Sequence, residues 1–340
     1  MKQLTLVEPG RVEWVDAPEP ALQGDGEALV RPLAVALCDL DANIVSGEFP
    51  IPAPVALGHE FVAEVVDAGS SVNGVRPGDR AVVPFQISCG ECARCRRCQT
   101  GDCERVPRLS MYGFGAFGGD WGGALSDLVR VPYADAMLVP LPDGLDPAAV
   151  ASASDNIPDA WRTVAPQLER RPGAEVLVIA GGARSIGLYA VNAALALGAA
   201  RVVYLDDDAA RLRVAEGLGA ETIEGEPLNR LWPFPITVNA SLTHEGLNCA
   251  IRSTEPGGVC TSVAILAEPE TPVPLFEMYT NGIEFRTGRV MARSLIPEIL
   301  ERTAAGELHP ERVTSRTVAW DDAPDAVGEP ETKLIVTRSG

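Results

Sequence analysis

Five of the chain's eight cysteines fall between residues 89 and 103. Their order is Cys89-Gly-Glu-Cys92-Ala-Arg-Cys95, then seven residues, then Cys103. Each C-x2-C turn sets two thiolates on one side of an ion, and two interleaved turns with one returning cysteine supply the four soft, tetrahedral ligands that zinc takes. With every position filled, such an ion cannot activate water. Its expected role is to fold a lobe over residues 86–106. A chance cluster of reduced cysteines is the alternative. Cys98, a fifth thiol in the loop, is expected to stand aside. A second set of ligand-type residues comes earlier: Cys38, and His59 within Gly58-His59-Glu60, in a chain with only three histidines, at 59, 244 and 309. A histidine there suits a metal ligand on a strand edge, and equally a buried imidazole satisfied by Glu60.

A third chemistry is written between residues 176 and 206. The run Val176-Leu-Val-Ile-Ala-Gly-Gly-Ala-Arg-Ser-Ile-Gly187 passes from an apolar strand through a glycine turn into a helix. Glycines let a backbone approach a pyrophosphate, and the helix N-terminus meets its charge. Asp206 ends the next strand, 19 residues after Gly187, where an acid accepts hydrogen bonds from ribose hydroxyls and repels a 2′-phosphate. NAD is therefore favoured over NADP. An ordinary strand-to-helix turn is the plain alternative. The turn also departs from the usual glycine pattern, with Gly181-Gly182 at its front and Arg184 at the middle glycine position.

These residues need elements to position them. The first ~150 residues alternate short apolar runs with Gly, Pro and Asp turns, the texture of a β-rich domain. Near residue 155 the texture changes to helix (158–168), strand (175–180), helix (186–197), strand (201–205) and helix (209–218). That succession makes βαβ units and a parallel sheet. A helix over 294–305 and a strand over 333–337 close the chain, the strand returning to the first domain. At 340 residues two domains are expected, and 46% apolar residues supply ample core. The net charge of −19 repels phosphate backbones and anionic lipids, which argues against nucleic acid and membrane partners. No stretch of 18 apolar residues and no leader-like N-terminus is present, so a cytoplasmic protein with reduced thiols is expected.

Taken in order, these motifs resemble the zinc-dependent medium-chain dehydrogenase/reductase family, alcohol dehydrogenase type. The resemblance implies an α/β protein: a β-rich GroES-like catalytic domain (1–156 and 289–340) and a Rossmann domain with a doubly wound parallel sheet (157–288). It implies a catalytic zinc on Cys38, His59 and a third ligand. Ser154-Asp155-Asn156-Ile157-Pro158 is similar to the segment of formaldehyde dehydrogenase-like members, making Asp155 that ligand; as a residue, Asp155 also suits a helix cap ahead of Pro158. Zinc with one open position polarises a substrate oxygen, and Glu60 would tune it. Gly181, Gly182, Arg184, Ser185, Ile186, Gly187, Asp206 and Arg211 would hold NAD, and Leu40, Leu57 and Phe85 would line the substrate pocket. The aromatic, Gly-rich stretch with Met111, Tyr112, Phe114 and Trp121 either covers that pocket or packs.

The family's proton relay begins with a hydroxyl where this chain has Leu40 and ends on a histidine where it has Asn43. The leading expectation is hydride transfer between NAD(H) and a small alcohol, aldehyde or ketone. Two others stand beside it: a relay-less NAD(P)H-dependent reductase of a conjugated or iminium-like substrate, and a nucleotide-binding member without turnover. A homodimer or homotetramer is implied.

Overall fold

The computed structural model describes residues 1–266 and 268–338. They form two compact units, Met1–Pro158 with Val290–Gly306 and Thr314–Gly340, and Asp159–Arg289 with Glu307–Val313.

In the first unit the run ALVRPLAVAL is buried at most positions and forms the strand Ala28–Leu37, the hub of a seven-stranded sheet. Its neighbours are Glu60–Ala68 on one side and Leu334–Thr337 on the other, both antiparallel. The strand Leu334–Thr337 thus pairs within the first unit's sheet. Register decides what lies at one end of it. Ala36 faces Glu60, Leu37 faces Leu334, and Phe61 faces Val83. Cys38, His59, Glu60, Lys333 and Phe85 are thereby gathered at one edge. A three-stranded sheet, Arg11–Asp16, Lys2–Glu8 and Val55–Ala56, packs into the same core through Leu4, Leu6 and Val55. Fully burying such aliphatic side chains stabilises by about 1.5–3 kcal/mol each.

The second unit carries six parallel strands in the order Glu221–Glu224, Val202–Asp206, Val176–Ile179, Phe234–Asn239, Thr254–Ser262 and Glu284–Arg286. The helices Arg184–Ala196, Ala209–Leu218 and His244–Arg252 serve the crossovers. The connection from Glu224 to Phe234 contains no helix. Pro227 and Pro233 break helical periodicity there, and nine extended residues reach about 30 Å, enough to pass over the intervening strands. The chain order reverses between Val176–Ile179 and Phe234–Asn239, and open parallel sheets bind ligands at the carboxyl ends of strands beside such a point. No helix among the described residues is long and apolar enough to cross a membrane.

Candidate active site

Cys38 leaves the hub strand and caps the helix Asp39–Ser46. Its sulfur accepts the Leu40 N–H at 3.3 Å, and Asp41 returns the bond by accepting the Cys38 N–H at 2.9 Å. This reciprocal cap holds the thiol at the helix start. Gly58 permits the approach from the other side: its φ is +87°, and a Cβ there would lie 3.1–3.2 Å from Val35 and Leu125. His59 follows with Nε2 3.5 Å from Cys38 Sγ, 3.5 Å from Asp155 Oδ2 and 4.0 Å from Glu60 Oε1. Cys38, His59 and Glu60 offer atoms all within 4.8 Å of one another. Asp155 ends the 3-10 turn Ala151–Ser154, and its N–H donates to Ser152 O.

His59 Nδ1 faces Asp41 Oδ1 at 3.4 Å, both side chains buried. A carboxylate beside Nδ1 favours the tautomer protonated there, with Nε2 turned toward Cys38 and Asp155, an arrangement that suits a metal-ligating histidine. Burial pushes the Cys38 thiol up to about 12, with Asp41 adding to the effect. Burial and nearby Asp155 lift Glu60 to about 7 against the pull of Lys333 and His59. His59 is raised well above its usual value: burial opposes the charge, but Asp41, Cys38 and Asp155 outweigh it. A divalent cation reverses this logic by favouring thiolate, neutral imidazole and carboxylate together. The donor set fits zinc.

Of the expected pocket residues, Phe85 sits over His59 with ring centres 5.9 Å apart, and Leu40 is half-buried against the core. Leu57 is wholly buried among core side chains, where it packs rather than presents an open wall. Phe114, from the Gly-rich aromatic stretch, stands 5.1 Å from the His59 ring. Tyr112 in that stretch is a packing residue, edge-on to Phe61 and bonded to Arg130 O at 2.9 Å.

The sequence also missed Lys333. Its side chain is fully buried and its Nζ reaches both oxygens of equally buried Glu60, at 3.0 and 3.3 Å. A signal existed: Lys2 and Lys333 are the chain's only lysines, and Lys333 adjoins the apolar run Leu-Ile-Val.

Cys89, Cys92, Cys95 and Cys103 form the second convergent group, again with sulfurs within 4.8 Å of one another. Backbone N–H groups of Cys89, Glu91, Cys92, Cys95 and Glu104 donate to these sulfurs at 3.4 Å. Such bonds stabilise thiolates, and the one from Glu104 leads in lowering Cys92 to about 6. The set suits a closed zinc site. Cys98 is exposed at φ +61° and outside the group.

In the second unit Gly181 has φ +148°, and a Cβ on it would meet Ser241 O at 2.8 Å; one on Gly182 would meet Leu242 at 2.5 Å. Gly187 has only ordinary contacts, so the constraint sits at the front of the turn. The helix Arg184–Ala196 starts without any side-chain cap. Its amides and the Arg184 cation in the first turn fit a pyrophosphate. Ser185 is buried, and Ile186 packs with Ala183, Ala240 and Val263. Asp206 has an occupation the sequence did not foretell. It is buried, and its two oxygens accept from Arg211 Nε (2.7 Å), Arg211 Nη2 (2.6 Å), Tyr204 OH (2.7 Å) and Asp208 N–H (3.1 Å). Burial alone would raise this carboxyl, yet Arg211 and Tyr204 hold it below its usual value.

A β-rich unit with two thiol-containing ligand groups, in one chain with an open parallel nucleotide-type sheet, defines a two-domain, metal-binding dehydrogenase class. The comparisons agree. Residues 24–143 match the alcohol dehydrogenase GroES-like domain. A medium chain reductase/dehydrogenase of Acremonium sp is 34% identical over 228 residues, 66% of this chain and 76% of that protein. A glutathione-independent formaldehyde dehydrogenase of Pseudomonas aeruginosa is 32% identical over 72% of this chain and 62% of its own. The solved alcohol dehydrogenase of Thermus sp. ATN1 superposes with a TM-score of 0.91 at 29% identity, covering 100% of both chains. The chain belongs to the zinc-dependent medium-chain dehydrogenase/reductase family, as an oxidoreductase of the alcohol dehydrogenase type.

Proposed function

We propose that this oxidoreductase transfers a hydride between NAD(H) and a small alcohol, aldehyde or ketone at the edge formed by Cys38, His59, Glu60 and Asp155. The observation that carries the reading is the convergence of a thiol, an imidazole nitrogen and carboxylates on one buried point. Cys38, His59 and Asp155 would hold zinc there. When bound, zinc supplies a fixed positive charge where the substrate oxygen gains negative charge. Asp41 orients His59 through Nδ1, and Lys333 anchors Glu60 beside the ligands. Phe85 and Phe114 flank the imidazole and give the substrate apolar, water-excluding walls. The relative from Pseudomonas aeruginosa, a formaldehyde dehydrogenase, supports a small substrate.

One observation favours a second reading. Leu40 can neither donate nor accept a proton, and Asn43 cannot titrate. Reduction of a conjugated or iminium-like substrate needs no proton taken from an alcohol at that position. A panel of small alcohols, aldehydes, ketones and enals with both nicotinamide cofactors decides between them. Turnover confined to enals supports the second reading. Bound nucleotide with no turnover on any substrate leaves only a binding protein.

Cofactor choice follows the charge around the ribose end. Three carboxylates (Asp206, Asp207, Asp208) face one guanidinium, Arg211, and the excess negative charge disfavours a 2′-phosphate. NAD is the proposed partner. We also propose a homodimer through the free edge of Glu284–Arg286, the last strand of its sheet. Antiparallel pairing centred on Phe285 would set Glu284 opposite Arg286 of a second copy, a self-complementary match. The preceding helix Leu275–Asn281 adds Leu275, Phe276 and Tyr279, which are 68%, 78% and 83% exposed.

A further inference from the structure

We infer that Asn239 is a positioning residue for the nucleotide, locking the loop 240–243 that holds the glycine turn in shape. The inference rests on the nucleotide reading proposed above and extends it to a buried side chain outside the turn itself. Asn239 ends the strand Phe234–Asn239, beside the point where the chain order reverses. In register it lies between Ile179, which leads into the glycine turn, and Ser262, which ends the next strand. Asn239, Ser241 and Ser262 are all buried, so their polar atoms need partners inside the protein. The Ser241 N–H can only donate, so the amide atom that it meets at 3.2 Å is the oxygen. That oxygen also accepts from the Ser241 hydroxyl at 2.7 Å, and the amide nitrogen donates to Ser262 Oγ at 3.0 Å. Ser262 Oγ in turn accepts the Ala264 N–H at 3.2 Å. One side chain thereby ties the loop after its own strand to the loop after the next.

The loop 240–243 carries the glycine turn on its other side. Ala240 O accepts the Ala183 N–H and Ser241 O accepts the Gly182 N–H, both at 3.0 Å. These two amides are committed to shaping the turn, and the pyrophosphate falls to the helix start that follows. Leu242 stands at φ +59°, a left-handed backbone that any residue with a Cβ disfavours. Its side chain fills the space beside Gly182. Such a conformation persists only where its surroundings hold it. Here they do so from both ends: the Thr243 N–H donates to Ser241 Oγ at 3.3 Å, and the Thr243 side chain caps the helix His244–Arg252. A Cβ on Gly246, in that helix's first turn, would run into the Ser241 hydroxyl. With the network intact the turn is preformed. Without it, nucleotide binding bears the cost of ordering the turn.

Calorimetric titration of the zinc-loaded full chain with ADP-ribose and with adenosine tests this, independently of turnover. ADP-ribose carries the pyrophosphate that the turn receives, and adenosine does not. Asn239→Leu should weaken ADP-ribose about tenfold while adenosine stays within about twofold of the wild type, because only the phosphate-receiving turn is loosened. Asn239→Asp should keep ADP-ribose within about threefold of the wild type, since its carboxylate accepts from Ser241 as the amide does and the Ser262 hydroxyl can turn to donate. The inference is overturned if Asn239→Leu leaves ADP-ribose unchanged, if it weakens adenosine equally, or if Asn239→Asp binds no better than Asn239→Leu. Should Asn239→Leu fail to fold, Ser262→Ala decides by cutting one link: about a threefold loss for ADP-ribose alone is expected, and an unchanged constant overturns the inference. A wild type that binds neither ligand overturns the nucleotide reading and the inference with it. A wild type that binds both, with silent variants, overturns the inference alone.

Discussion

Cys38 does two jobs at once, capping the helix Asp39–Ser46 and aiming its sulfur at His59. Because the reciprocal bond to Asp41 also brings that acid against His59 Nδ1, one local motif sets the ligand and orients its neighbour. Two residues on stands Leu40, at the position where the family resemblance implies a hydroxyl that moves the alcohol proton. If that absence limits alcohol oxidation, Leu40→Thr should raise kcat toward the roughly 10²–10⁴-fold typical of acid–base assistance; an unchanged steady-state rate would mean that the proton leaves elsewhere. Lys333 and Glu60 form a pair with no exposure. Lys333→Met should cost about 3–5 kcal/mol in urea unfolding, since it leaves a buried charge alone. Adding Glu60→Gln should recover much of that loss, and a purely additive double mutant would show that the two groups do not stabilise each other.

Among the elements, the cysteine lobe and the apolar strands were the most legible from sequence. Ligand spacing over 15 residues is local information, and so is the periodicity behind Ala28–Leu37 and Val202–Asp206. What escaped was set by long-range register. Lys333 meets Glu60 across 273 residues because Leu334 pairs with Leu37 while Ala36 pairs with Glu60. Asp206 was legible as the acid ending a strand, but its capture by Arg211 depends on side-chain packing that no spacing encodes. The prolines of the connection after Glu224 explain why no helix fills it. At this scale the lobe offers its own test. Cys103→Ser should remove one zinc per chain and open the segment 86–106 to protease, since three ligands no longer close the site. Unchanged resistance would mean the loop is held by packing alone.

For the whole molecule, the charge of −19 opposes unspecific association, so any stable assembly needs a specific apolar contact. The proposed homodimer would draw it from the edge strand Glu284–Arg286 and the exposed Leu275, Phe276 and Tyr279. Analytical ultracentrifugation should find twice the chain mass of 35.9 kDa for the wild type and a single chain for Phe276→Asp with Tyr279→Asp; a dimer unaffected by both changes would place the interface elsewhere. On the proposed function, the thiol, imidazole and carboxylates at the hub sheet's edge hold a working zinc distinct from the one in the lobe. Metal analysis of purified wild type and Cys38→Ser, paired with nicotinamide reduction, addresses it most directly. The expected result is two zincs per chain falling to one, with turnover lost and the lobe's zinc retained. One zinc in the wild type, unchanged by Cys38→Ser, would contradict it.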